Sequence, residues 1–180
     1  MNELLDDEVL ENEESDMGSL MHSGTQAKIT GLLINNNEKL SVFTELSLDV
    51  SQHDLKRYRL NVKNELKPDI CAYKKTPPTP DEEFEDDLLT VSQMPDLAIE
   101  VLSPTQSVSY LVRKIKAYFA LGVKSCWLVM PSLDEVRIFS QADSYKTFAL
   151  NTELFDEVMD IQLPITKVFG KRSNEIQTVA

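Results

Sequence analysis

Residues 95–130, "PDLAIEVLSPTQSVSYLVRKIKAYFALGVKSCWLVM", decide the fold. Two apolar runs of strand length, "PDLAIEVLS" and "KSCWLVM", flank a segment in which Val108, Leu111, Val112, Ile115 and Phe119 recur at helical spacing until Gly122 ends it. A helix joining two strongly apolar strands is a crossover, which favours parallel strands in one sheet and a right-handed connection. One residue disturbs the first strand. Glu100 stands between Ile99 and Val101, and an ionised carboxylate is costly to bury unless it is paired or bound to a metal.

Upstream, "SLMHSGTQAKITGLLI" (residues 19–34) spaces Leu20, Ala27, Ile29, Leu32 and Leu33 as an amphipathic helix does. "LSVFTELSLDV" (40–50) alternates as one strand, and "KPDICAY" (67–73) opens a short strand led by Asp69 after Pro68. Between that strand and the next, "KKTPPTPDEEFEDDLLTVSQM" (74–94) is a long loop rich in proline and acids. Downstream, "EVRIFS" and "SYKTFAL" add two strands with tight turns. The predicted class is mixed α/β (α+β), with the order α-β-β-β-α-β, a mixed sheet and an antiparallel β extension.

A chain of 180 residues with 42% hydrophobic and 27% charged residues is expected to form one domain, here 17–170, preceded by an acidic mobile lead (1–16) and followed by a tail (171–180). The net charge of -12 argues against a nucleic-acid partner until its distribution is considered. Residues 1–16 hold eight acids and residues 81–87, "DEEFEDD", six, with no base in either; without those fourteen, 16 acids face 18 bases, a balance of +2. The body of the domain is near neutral. Cys71 and Cys126 lie in separate apolar runs and are expected to be buried reduced thiols. No signal-peptide pattern or membrane-length apolar run occurs, so a cytoplasmic protein is expected.

Asp69 and Glu100 lie on consecutive strands, and pairing of these strands as an antiparallel hairpin would set the start of one against the latter half of the other. Two converging carboxylates would raise one pKa or bind a hard cation such as Mg²⁺ or Mn²⁺. Lys114 lies on the edge of the apolar stripe of the following helix, whereas Lys116 groups with Arg113 and Ala120 on the face expected to meet solvent. Two acids, a cation and a lysine can hydrolyse a phosphodiester. Taken singly, the same residues have plainer roles: Asp69 as a turn residue after proline, Lys114 as a solvated helix lysine, Glu100 as a surface ion pair. Tyr118 and Trp127 read as core aromatics. His22, Glu45, Ser103 and the basic run "HDLKRYR" (53–59) are lesser candidates for a site mouth or phosphate contact.

The segments "KPDICAY" and "PDLAIEVLSP", with Lys114, Tyr118, Gly122, Val123 and Trp127 to Val129 in K-x-x-x-Y-x-x-x-G-V-x-x-x-W-L-V spacing, resemble the Uma family of restriction endonucleases, a bacterial branch of the PD-(D/E)xK nuclease superfamily. The resemblance runs from about Met21 to Phe169. It implies a restriction-endonuclease-like core acting on DNA, with Asp69, Glu100 and the Val101 backbone carbonyl as Mg²⁺ (or Mn²⁺) ligands, and a homodimer. The superfamily lysine is expected two residues after the glutamate, where Leu102 stands; the resemblance places it on the helix, at Lys114. Tyr110 occupies a position where family members usually have aspartate, and an acidic lead replaces the usual E-x-x-x-G segment. Two other functions remain open. One is a nuclease fold retained for binding or regulation, with the acidic segments as a lid or DNA mimic; the other is a phosphohydrolase of nucleotides.

Overall fold

The computed structural model describes residues 18–84 and 86–170. The acidic lead (1–16), the tail (171–180) and Glu85 of the acidic loop lie outside the described residues. Helix α1 (Leu20–Asn36) begins at Ser19, whose side chain accepts the His22 N–H, and it buries Ile29 and Leu33. Then follow β1 (Ser41–Thr44), β2 (Leu48–Asp49), β3 (Glu65–Leu66), β4 (Ile70–Tyr73), β5 (Leu97–Val101), α2 (Val108–Leu121), β6 (Ser125–Met130), β7 (Glu135–Gln141) and β8 (Ser144–Phe148). The chain continues through β9 (Glu153–Asp156), β10 (Ile161–Pro164) and α3 (Ile165–Phe169).

Six strands form one sheet in the order β1-β4-β5-β6-β7-β8. β5 and β6 are parallel, as the crossover through α2 requires, and the other neighbours are antiparallel. Helix α2 is closed at both ends by its own sequence. Ser107 accepts the Tyr110 N–H, and Gly122, at φ +102°, takes the left-handed position that ends the helix. The expected order α-β-β-β-α-β is that of the sheet and its helices, with the small β2–β3 hairpin inserted.

The sheet is covered on both sides. Leu97, Ile99, Val101, Trp127 and Val129 join α1, α3 and the β9–β10 hairpin in one apolar cluster. Ala98, Cys126, Leu128 and Met130 join Leu111, Ile115 and Tyr118 of α2 in the other. That alternation is the period of two of an extended chain, and burial on both faces explains why β5 and β6 read as unbroken apolar runs.

Two details differ from the sequence expectation. Residues 40–50 are not one strand: Glu45 adopts φ +53° and donates its N–H to the Asp69 carbonyl at 3.1 Å, after which β2 leaves the sheet and pairs with β3. The alternation of polar and apolar residues continues through that break, so the pattern gave no sign of it. The β9–β10 hairpin was not foreseen either. It is locked to β6 through Asp156, fully buried, which accepts from Ser125 Oγ at 2.6 Å, Trp127 Nε1 at 2.7 Å and the Met159 N–H at 3.0 Å. Trp127 is therefore more than a core aromatic. Asp156→Ala strands three buried donors and is expected to lower unfolding stability by about 3 kcal/mol or more, with Asp156→Asn milder because an acceptor remains. Urea denaturation of the three proteins would measure it; equal stabilities would contradict this account of the hairpin.

Candidate active site

The antiparallel register of β4 and β5 pairs Ile70 with Ile99, which sets Asp69 opposite Glu100 at the next step. The Val101 N–H donates to Asp69 Oδ2 at 2.6 Å. From the other side α1 reaches the same residue: His22 Nε2 lies 3.2 Å from Asp69 Oδ1, and Gln26 Nε2 donates to the Asp69 carbonyl at 2.9 Å. Asp69, at the bend after Pro68, is thus held from both β5 and α1. Asp96, which also follows a proline, accepts the Lys74 N–H at the opposite end of β5.

Glu100 shares the α2-facing side of β5 with Ala98. It is 2% exposed, which removes the half-exposed surface ion pair. On α2, Lys114 and Tyr118 are one turn apart on a single face. Lys114 Nζ lies 3.1 Å from Glu100 Oε1, and the Tyr118 hydroxyl donates to the same oxygen at 2.6 Å. Lys114 also donates to the Lys67 carbonyl at 2.9 Å. It is 3% exposed, so from the edge of the apolar stripe its whole side chain is buried. Lys116 keeps 43% of its side chain exposed, as its grouping suggested.

Burial is the largest influence on Glu100 and pushes its carboxyl from an ordinary 4.5 up to about 7; Lys114 pulls it down and the nearby Asp69 charge adds to the rise. Burial and the neighbouring Glu100 also hold the Tyr118 hydroxyl well above its usual range, so it stays a donor.

A cleft of about 570 Å³ opens over this group, lined by His22, Gln26, Glu45, Glu65, Lys67, Asp69 and Lys114 among others. Glu100 contributes none of its wall. None of the described residues of the acidic loop 81–87 lines the cleft, and Phe84 in that loop is 78% exposed. A loop packed across the site as a lid is not what these residues form.

Among the described residues no cluster of three or more His, Cys, Asp or Glu is placed to hold a metal. What the site offers is two carboxylates from adjacent strands and no sulfur. That donor chemistry fits a hard divalent cation of the Mg²⁺ type, which takes one or two carboxylates and keeps water or phosphate oxygens for the rest.

Residues 3–165 match the family model Uma2, described as "Putative restriction endonuclease". The chain belongs to the Uma2 family. A solved structure, that of a "putative nuclease belonging to DUF820" from Anabaena variabilis, superposes with a TM-score of 0.66 at 20% identity, covering 84% of this chain and 81% of that one. At that identity the likeness establishes the nuclease-like fold. No curated protein shows significant similarity to the chain. Within this Uma2 chain the family-type K-x-x-x-Y spacing acquires a physical meaning, because both its residues grip one oxygen of Glu100. Tyr110, at the position expected for an aspartate, is buried on the same helix with the Arg113 guanidinium 5.7 Å from its ring centre.

A carboxyl raised on folding from 4.5 to about 7 binds its proton more tightly in the folded chain. Its contribution to stability is fully present below about pH 4.5 and is lost as the pH rises through about 7. Between pH 5 and 8, Glu100→Gln should therefore lack a downward component of stability that the wild type has. Melting temperatures of both proteins across that range test this, and parallel curves would contradict it.

Proposed function

We propose that this Uma2 chain is a metal-dependent endonuclease that hydrolyses DNA phosphodiester bonds, with Asp69, Glu100 and Lys114 as its catalytic residues. The observation that carries the proposal is that Asp69 and the buried Lys114 meet at the wall of one cleft, with Glu100 opposite Asp69 in the strand register and paired to Lys114 behind that wall. Asp69, Glu100 and the Val101 carbonyl would hold Mg²⁺ or Mn²⁺. When bound, the ion would polarise the phosphoryl oxygen and acidify a water.

The chain's own residues have separable tasks. Lys114, anchored by Glu100 and by the Lys67 carbonyl, presents positive charge at the cleft wall where a phosphate oxygen gains charge during attack. His22 and the Val101 amide hold Asp69 in one orientation. Tyr118 occupies one lone pair of Glu100 Oε1, which restricts how that carboxylate can turn. Cleavage of both strands of a duplex calls for two such sites, and the proposal includes a homodimer, which sedimentation equilibrium would read as twice the chain mass. A cytoplasmic setting belongs to the same reading: Cys71 and Cys126 are buried thiols, and burial pushes Cys71 up to about 12. Among the described residues no helix is long and apolar enough to cross a membrane.

A second reading, a nuclease fold used for binding or regulation, is favoured by one observation: Glu100 and Lys114 already neutralise each other at 3.1 Å. Calorimetry and plasmid cleavage separate the two. The endonuclease reading expects Mg²⁺ or Mn²⁺ binding that strengthens from pH 6 to 8, is lost in Asp69→Ala and Glu100→Ala, and accompanies cleavage of supercoiled DNA. Lys114→Met should bind metal yet cleave roughly 100-fold more slowly. Metal binding without cleavage would leave the binding module, and absence of metal binding in the folded wild type would overturn the endonuclease.

A further inference from the structure

The basic run "HDLKRYR" (53–59) has no task in the chemistry above, yet its bases continue through Lys63 to Lys67, which ties it to the site. Residues 56–67, "KRYRLNVKNELK", hold five Lys or Arg and one acid in a chain whose net charge is -12. Lys56, Arg57, Arg59, Lys63 and Lys67 are all exposed, and no described carboxylate forms an ion pair with any of them. Two acids upstream of the run are occupied with the backbone: Asp49 Oδ1 accepts the Ser51 N–H at 2.9 Å and Asp54 Oδ1 the Lys56 N–H at 3.1 Å.

The run is not a loose loop. Leu55, Leu60 and Leu66 are buried in the α2-side cluster, with Tyr58 packed against it. Lys56–Tyr58 form a single 3₁₀ turn that Arg59 closes at φ +51°. Arg57 lies over the Tyr58 ring at 4.8 Å, which leaves its guanidinium edge free for acceptors. At its far end β3 pairs with β2, Glu65 and Lys67 line the cleft, and the Lys67 carbonyl receives the Lys114 ammonium. The basic strip therefore leads to the cleft wall and shares a hydrogen bond with the proposed catalytic lysine.

We infer that residues 56–67 form a docking strip for the phosphate backbone of duplex DNA, guiding it towards the cleft at Asp69. The inference rests on the DNA-cleaving reading of that site and adds the surface that the substrate would contact. Exposed lysines and arginines without a carboxylate partner among the described residues, along a strip anchored by buried leucines, match a row of phosphates, so the strip contributes affinity and orientation rather than sequence choice. It also accounts for how a strongly acidic chain could approach a polyanion: fourteen of its acids are concentrated in the lead and the 81–87 loop, while the strip presents five bases against one acid.

The test is fluorescence polarisation of full-length protein on a labelled 24-base-pair duplex, with EDTA present so that nothing is cut. Wild type, the triple variant Lys56→Ala/Arg57→Ala/Lys63→Ala and the control Lys146→Ala are compared from 50 to 300 mM salt, with circular dichroism to verify folding. Lys146 lies on β8 and pairs with Glu157. The strip predicts that the triple variant loses affinity at least about tenfold, that its salt slope shrinks by about 0.9 per contact removed, and that the loss is the same on an unrelated sequence. Lys146→Ala should bind as wild type does. A folded triple variant with unchanged affinity and slope overturns the strip, and if the wild type still cleaves plasmid DNA in Mg²⁺ the endonuclease reading survives it. A wild type that neither binds nor cleaves duplex DNA overturns both.

Discussion

A carboxylate that is 2% exposed, held between an ammonium at 3.1 Å and a phenol at 2.6 Å, is the constraint on which this structure depends. Glu100 cannot leave its strand, because the residues on either side of it are committed to the opposite core. Breaking such a buried pair from one side costs about 3–5 kcal/mol, since the remaining charge has no water to turn to. Helix α2 must therefore dock with Lys114 and Tyr118 over β5, which fixes its rotation and its height along the sheet. The crossover that defines the fold and the group proposed to do chemistry are set by the same contacts.

The second carboxylate is placed by hydrogen bonds of a different kind. Asp69 ends the pairing of β4 with β5 and is held through an amide of β5, a histidine of α1 and its own carbonyl, which accepts from Gln26 and from Glu45. The left-handed backbone at Glu45 belongs to this arrangement, because the chain turns out of the sheet where it caps the Asp69 carbonyl. Asp156 does the corresponding work on the other face, tying the β9–β10 hairpin to β6. The site thus lies where α1, the β4–β5 end and α2 meet, with Asp69 held from α1 and β5 and Glu100 from two successive turns of α2.

Much of this was legible in the chain. The apolar runs around residues 108–121 gave the crossover, because burial on both faces of a central strand leaves an unbroken apolar pattern interrupted only by the functional acid. Lys114 was distinguishable from Lys116 by its place relative to the apolar stripe, although a side chain as long as lysine can be wholly buried from the stripe's edge, and here it is. Tyr118 reads as a core aromatic in the sequence, and its ring does fill the core; its hydroxyl contact shows only when the i, i+4 relation to Lys114 is set against Glu100. Nothing in the sequence links His22 to Asp69, as the two are 47 positions apart and only the packing of α1 brings them together. The β9–β10 hairpin was missed because its short strands alternate around turns and depend on Asp156 for their attachment, a long-range bond with no local signature.

The central claim is that Asp69 and Glu100 form one cation site beside Lys114. Anomalous diffraction from crystals soaked in Mn²⁺ tests it most directly. The account predicts one strong peak between the two carboxylates, within about 2.0–2.3 Å of oxygen from each and absent in Glu100→Ala crystals. A saturating soak that leaves that position without a peak, or places the ion elsewhere in the cleft with neither carboxylate bound, would contradict it.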